Sequence, residues 1–141
     1  MLRDNPKVSI ILPAFNAGEY IHNSIECILN QTYTNWELLV CDDCSKDNTY
    51  HIIEYYRQCD HRIKLFRNEM NLGSLRTRNK LFDIADGELI ALQDADDTSA
   101  LTRFERQIDQ FVQMKKLMLC GTWANYYFRN KIVRIKKGAT E

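Results

Sequence analysis

The chain predicts an α/β fold: a mostly parallel, doubly wound sheet between two helical layers, Rossmann-like in its three-layer α/β/α stacking. Two observations predict it. Short apolar runs alternate with segments whose apolar residues recur at three-and-four spacing, in the order βαβαβαβαβ(β). Two of those runs also stop abruptly in carboxylates, Trp36 to Cys41 in Asp42-Asp43 and Leu89 to Gln93 in Asp94-Ala95-Asp96-Asp97. The 141 residues make one domain, large enough for a real core.

The elements follow in order. Val8 to Leu12 reads as a buried strand that Pro13 stops. Ala17-Gly18 begins a turn, and Tyr20, Ile21, Ser24, Ile25, Ile28 and Leu29 mark one helix face. Trp36 to Cys41 is the second strand. Ser45-Lys46-Asp47-Asn48 offers N-cap chemistry to a helix carrying Ile52, Ile53, Tyr55 and Tyr56. Ile63 to Phe66 is a short third strand. Asn71-Leu72-Gly73-Ser74 opens a helix with Leu75, Phe82 and Ala85 as its apolar positions, and Asp86-Gly87 is expected to close it through αL. Glu88 to Gln93 is the fourth strand, expected to be buried. Leu101 to Met114 is amphipathic through Phe104, Ile108, Phe111 and Val112. Met118 to Cys120 and Trp123 to Ile135 read as further strands, broken near Arg129-Asn130.

Composition removes several classes of function. Hydrophobic residues make up 45% and charged residues 27%, as in ordinary globular proteins. Lys+Arg and Asp+Glu balance at 19 each, so no global field favours nucleic acid or anionic lipid. Arg129, Lys131, Arg134, Lys136 and Lys137 read as a solvated strand edge. No apolar stretch approaches the roughly 18 residues that span a bilayer, and Met1 to Pro6 lacks a signal-peptide core. The five cysteines fit reduced thiols in a cytoplasmic setting, at most peripheral to a membrane. Cys41 and Cys44 form a C-x-x-C, but the aspartates between them raise thiol pKa values, opposite to what redox chemistry needs. A zinc site would need a second ligand pair, and none is evident.

In doubly wound sheets ligands sit beyond the carboxyl ends of the strands, near the topological switch point. Pro13 to Asn16, Asp42-Asp43 and Asp94 to Asp97 all fall at those ends, which makes them one candidate site. A dinucleotide fold would place G-x-G-x-x-G where Pro13 to Gly18 stands with a single glycine, and no P-loop is present. Three carboxylates within four residues repel one another unless a cation or a proton intervenes. Hard oxygen ligands suit Mg²⁺ or Mn²⁺, held by one or two carboxylates and shared with substrate phosphates.

The residues also carry a family resemblance. Val8 to Asn16, Asn30 to Tyr33, Glu37 to Asp47, Asn71 to Gly73, Arg78-Asn79, Gly87 to Asp97, Arg103 and Gln107 stand in an order that resembles the nucleotide-binding half of a family 2 glycosyltransferase with the GT-A fold. The resemblance implies a nucleoside diphosphate sugar, usually a UDP-sugar, as donor and a glycan, lipid or protein as acceptor. Its D-x-D maps onto Asp94-Ala95-Asp96. By that likeness Asp96 ligates Mn²⁺ or Mg²⁺, Asp94 faces the ribose or the metal shell, and Asp43 contacts the base. Pro13 and Phe15 line the nucleotide, Glu19 joins them, Ala95 belongs to the same nucleotide-sugar contact, and Arg78 serves the diphosphate. Asp97 is assigned instead to the N-terminus of the helix that follows.

Departures from the family pattern are visible as well. Cys44 stands where the family usually has Gly, which makes a φ > 0 turn there uncomfortable. The family's carboxylate base and much of its acceptor pocket lie on a later segment. The chain is therefore expected to be a donor-binding half, a single domain over 1–141 truncated before the acceptor part, with its base beyond Glu141. Trp123, Tyr126, Tyr127 and Phe128 offer ring faces on which a sugar stacks, although alternation favours half core and half surface. Three rival readings remain. Ile90 to Thr98 also resembles the D-x-D-x-T of haloacid-dehalogenase-type phosphatases, but that family carries it on its first strand. A receiver domain would need an acid after the third strand, where Arg67-Asn68 stands. A nucleotide-sugar binder without activity of its own is the third.

Overall fold

The computed structural model describes residues 5–128 and 131–136, with side-chain surroundings through residue 126. The elements are β1 (Val8–Ala14), α1 (Ile21–Leu29), β2 (Trp36–Asp42), α2 (Thr49–Cys59), β3 (Ile63–Arg67), α3 (Ser74–Ile84), β4 (Leu89–Leu92), α4 (Arg103–Gln113), β5 (Ala124–Phe128) and β6 (Lys131–Lys136). Strands β3-β2-β1-β4 form a parallel sheet in that order, and β5-β6 form a separate antiparallel pair. Winding runs outward from β1 to β3 and then returns to β4 on the other side. The switch point therefore lies between β1 and β4.

Period-two alternation along β1 and β2 builds both helical layers. Ile10, Leu12, Leu38 and Val40 face one side, in a cluster with Ile21, Ile25 and Ile28 of α1, Ile53 of α2 and Phe104 and Ile108 of α4. Ile11, Leu39 and Cys41 face the other side, under Leu81 of α3. Helix α1 buries Ile21, Ser24, Ile25 and Ile28 of the predicted face, whereas Tyr20 stands exposed at its N-cap and Leu29 is only half-buried.

Several expectations need correction. Pro13 does not stop β1, which runs on to Ala14 with Pro13 opposite Cys41. The Ile11 carbonyl points to the β4 side, where it accepts from Gln93 N, and the Ala14 carbonyl to the β2 side, where it accepts from Asp43 N. By alternation Pro13 turns toward β4, which has ended at Leu92, so its missing N–H has no partner to lose. Strand β4 is not buried on both faces: Leu89 and Ala91 pack on the core, whereas Ile90 and Leu92 are 43% and 46% exposed. Helix α3 lies over β1 and β2 and leaves that face of β4 uncovered. The buried residues of α3 are Thr77 and Leu81, not Leu75 or Phe82, which are exposed. Residues 118–120 are irregular, and among the described residues the final strands pair only with each other.

Gly87 does not close α3 either. The helix ends at Ile84 with an extended Ala85 as its C-cap. The glycine is required for a different reason: a Cβ there would stand 2.5 Å from Ser9 N and 2.9 Å from the Lys7 carbonyl, both backbone atoms. Gly87→Ala is expected to cost about 1–3 kcal/mol through overpacking. A thermal melt checks it, with Gly121→Ala, where a Cβ meets nothing within 4 Å, as the neutral control.

Candidate functional site

Three loops meet at the carboxyl edge of the sheet. The first, after β1, is stitched to the loop after β2. Asn16 N donates to Ser45 Oγ at 2.9 Å, Lys46 N to Asn16 Oδ1 at 2.9 Å, Ala17 N to Thr49 Oγ1 at 2.8 Å and Gly18 N to Asp47 Oδ2 at 2.9 Å. Asn16 takes φ +47°, a conformation its short polar side chain tolerates. Pro13 is buried, while Phe15 and Glu19 are exposed. The capping segment before α2 acts through Asp47, whose Oδ1 accepts from Thr49 N, one residue earlier than the N-cap Asn48.

In the second loop the two aspartates divide their work. Asp42 is fully buried and caps the turn: Ser45 N donates to its Oδ1 at 3.2 Å. Arg67 Nε stands 3.1 Å from Oδ2, an ion pair whose N–H does not point at the oxygen. Asp43, 2% exposed, reaches across to the segment after β3. It accepts from Asn68 Nδ2 at 2.7 Å, Leu72 N at 2.9 Å and Gly73 N at 2.8 Å. Burial pushes its pKa up, but the donors Leu72, Asn68, Thr77 and Gly73 outweigh that and hold the carboxyl below its usual 3.8. Asn68 is itself held by Thr77 and Lys80. Sequence reasoning missed this polar set. Its only signal was a polar Asn68 directly after the third apolar run.

Cys44 adopts φ +63°, the left-handed turn in which a side chain is uncomfortable. Cys44→Gly is expected to raise unfolding free energy by about 0.5–1 kcal/mol, the steric relief being partly offset by chain entropy. A urea melt of the two proteins checks it. The neighbouring Cys41 thiol is pushed up to about 11, first by burial and then by the charge of Asp43, so the C-x-x-C is not built for redox work. All five cysteines are free.

The third loop carries the acidic run. Asp94, Asp96 and Asp97 are exposed, while Ala95 turns into the main core and leaves only its backbone to the edge. Arg78, carried in by α3, donates from Nη2 to Asp94 Oδ1 at 2.6 Å. Its Nε is buried without a protein acceptor. Asp96 lies near enough to Tyr20 to add to the rise in the tyrosine's pKa, which comes first from its hydrogen bond to Glu19. Asp97 is shifted upward, first by burial and then by the charges of Asp96 and Asp94. It is not at the helix N-terminus: α4 starts at Arg103 with Thr102 as N-cap, and Asp97 N closes a turn onto the Asp94 carbonyl.

Beside this loop an open cleft of about 1270 Å³ runs from Arg78 and Asp94 to Trp123 and Tyr126. Tyr127, Phe128, the basic tail and Glu141 lie outside the described side chains. The edge supplies hard oxygen donors in the right number for a Mg²⁺- or Mn²⁺-type site that borrows substrate oxygens. No group of three His, Cys, Asp or Glu side chains among the described residues forms an all-protein metal cage. No helix among them is long and apolar enough to cross a membrane.

Known proteins resemble this chain over most of its length. A profile described as Glycosyl transferase family 2 matches residues 9–138. The UDP-Glc:alpha-D-GlcNAc-diphosphoundecaprenol beta-1,3-glucosyltransferase WfgD of Escherichia coli is 41% identical over 121 residues, 85% of this chain and 47% of that protein. The putative teichuronic acid biosynthesis glycosyltransferase TuaG of Bacillus subtilis is 36% identical over 74% of this chain and 41% of its own length. The chain thus spans less than half of these relatives. Among solved structures, S. aureus TarS 1-349 in complex with UDP superposes with a TM-score of 0.72 at 28% identity, over 77% of this chain and 33% of that one. The mannosyltransferase PcManGT of Pyrobaculum calidifontis, in complex with GDP-Man and Mn2+, shares the fold with a TM-score of 0.70 at 22% identity, over 75% and 32%.

Proposed function

The chain belongs to glycosyl transferase family 2, and on that premise we propose that its carboxyl sheet edge binds a nucleoside diphosphate sugar, a UDP-sugar, for inverting transfer of the sugar to an acceptor. The observation that carries the reading is the meeting of Arg78 with the Asp94 to Asp97 run at the β1/β4 switch point. A cationic side chain and a dense acidic loop at one edge suit a ligand that brings both phosphate charge and a metal ion. The names of relatives support the donor class: WfgD is a UDP-Glc transferase and TarS is seen with UDP.

Asp96 and Asp94 are the residues that would hold Mn²⁺ or Mg²⁺, and the metal when bound supplies charge neutralisation to the departing diphosphate. Asp43, with its carboxylate locked against Gly73 and Leu72, shapes the base side and offers the lone pairs its three donors leave open. Pro13 and the Ala95 backbone form the floor, Phe15 and Glu19 stand at the rim, and Arg78 is placed to exchange its Asp94 contact for a phosphate oxygen. In the transfer itself the acceptor hydroxyl attacks the anomeric carbon as the bond to the diphosphate breaks. The base that takes its proton is assigned to no residue of this edge. The acceptor is a glycan, lipid or protein.

Calorimetry with UDP, with and without Mn²⁺, tests the reading. Binding should require the metal and fall below detection in Asp96→Ala. Metal-independent binding, untouched by that change, sinks the metal assignment, and release of phosphate from a phosphomonoester would favour phosphatase chemistry instead.

A further inference from the structure

The acidic loop is held by a network whose key member touches none of its carboxylates. Arg103, half-buried at the start of α4, donates from Nη1 to Gln93 Oε1 at 2.9 Å and to Ser99 Oγ at 2.8 Å. Its Nη2 donates to the Leu92 carbonyl at 2.9 Å and its Nε to Gln107 Oε1 at 3.3 Å. Every hydrogen bond it makes among the described residues thus goes to a neutral oxygen. Gln93, 3% exposed, passes the connection on: its Nε2 donates to the Asp97 carbonyl at 2.8 Å, while its Oε1 also accepts from Ser99 Oγ at 2.8 Å. From below, the buried Ser24 of α1 donates to the Asp94 carbonyl at 3.0 Å, and Ser99 N donates to Cys27 Sγ at 3.2 Å.

The loop is therefore gripped through Leu92, Asp94, Asp97 and Ser99, and the grip is on backbone and neutral atoms. Nothing in it occupies a carboxylate oxygen. That is the arrangement required if Asp94 and Asp96 are to face a ligand in a fixed geometry, since three repelling carboxylates on a free loop would splay apart.

We propose that Arg103 and Gln93 are positioning residues: together they clamp both ends of the 93–99 loop and fix the direction of Asp94 and Asp96 toward a cation-bearing nucleotide. The inference rests on the donor-binding reading above. Its sign distinguishes it from simple electrostatics. A guanidinium beside a cation site repels the cation, so by Coulomb's law alone its removal should tighten metal binding. A clamp predicts the reverse.

The experiment measures binding of UDP with Mn²⁺ in the whole chain and in Arg103→Met, Arg103→Lys and Gln93→Leu. Arg103→Met should weaken metal-dependent binding by about 10- to 100-fold, the range for groups that orient metal ligands. Gln93→Leu, which changes no charge, should do the same. Arg103→Lys keeps the charge but loses the planar fork, so it should recover only part of the loss. Unchanged or tighter binding in Arg103→Met, or full recovery in Arg103→Lys, overturns the proposal. A second measurement needs no ligand: amide hydrogen exchange at Asp97 and Ser99 should quicken in Arg103→Met while the β1 and β2 amides stay protected. Exchange unchanged at those two amides also overturns it. Absence of binding by the unaltered chain sinks the donor-binding reading instead, and the exchange result then decides the clamp.

Discussion

Asp43→Ala is expected to lower the unfolding free energy by about 3 kcal/mol and to abolish nucleotide binding together with it. The carboxylate takes three donors, from Asn68, Leu72 and Gly73, and hydrogen bonds to a charged group contribute about 1.5–3 kcal/mol each. The sum is not reached, because Leu72 N and Gly73 N lie close enough to the surface to find water. Asn68 keeps Thr77 and Lys80. The consequence for the site is larger than the consequence for the fold. Without Asp43 the segment after β3 keeps its tie to β2 only near Asn68, whose N donates to the Asp42 carbonyl, and loses the hold on Leu72 and Gly73. Gly73, at φ +82°, begins the helix that delivers Arg78. Asp43→Asn should be nearly as harmful, since its amide sets a donor against the Leu72 or Gly73 N–H. Urea melts and UDP calorimetry on the same samples check both halves. Full stability with lost binding would confine Asp43 to ligand contact, and the reverse would confine it to the fold.

Glu37→Ala should cost about 3 kcal/mol with no direct effect on the site. Glu37 lies in β2 at the opposite, amino-terminal end of the sheet, with its side chain 3% exposed. Ser9 Oγ donates to it at 2.6 Å and Lys64 Nζ at 2.7 Å, and Lys7 Nζ stands at 3.2 Å while also pairing with Asp86. Asp86 N donates at 3.3 Å, and Gly87 N bonds the same Ser9 hydroxyl. The α3 face has few buried apolar residues, namely Ile11, Leu39, Cys41 and Leu81, and this polar cluster fills the rest of it. Removing one member of a buried pair costs about 3–5 kcal/mol, and the lower end applies because both lysines can return to water.

The same cluster makes stability depend on pH. Burial pushes the Glu37 pKa up, but Lys64, Ser9 and Asp86 more than reverse that, so the folded pKa lies below its usual 4.5. The unfolded chain then binds the proton more readily than the folded one. The stabilisation is complete above pH 4.5 and is lost as pH falls from there toward the folded value. Asp43, also depressed, adds a loss that begins slightly lower. Melts of the unaltered chain and Glu37→Gln should differ most at pH 7 and converge below pH 4. A constant gap across that range would show that the carboxylate charge contributes nothing.

Much of the site was legible in residues. Two apolar runs that end in aspartates, with Pro13 to Asn16 after a third, mark one sheet edge for any doubly wound fold, because winding direction sets which ends of the strands gather. The family resemblance then proposes nucleotide, metal and nucleobase positions along that edge by matching segments. Other features were not legible. The buried role of Glu37 could not be read, because a glutamate in an apolar run looks the same whether it faces water or two lysines from distant strands. The grip of Gln93 and Arg103 on the acidic loop joins residues ten apart through a fold in the chain, and no spacing rule marks it.

The sequence by itself determined the α/β architecture, the order of its strands and helices and the location of its carboxylates, since these depend on local periodicity and on where apolar runs end. Tertiary structure decided which face of each element is buried and which polar atoms are taken. Helix α3 turns Thr77 and Leu81 inward rather than Leu75 and Phe82, and β4 leaves Ile90 and Leu92 uncovered. It also divided the acidic residues: Asp42 caps a turn, Asp43 ties two loops, Asp94 meets Arg78, and Asp97 closes its own loop instead of starting a helix. A carboxylate's role depends on the donors brought close to it, and for the aspartates of this edge those donors come from as far as thirty residues along the chain.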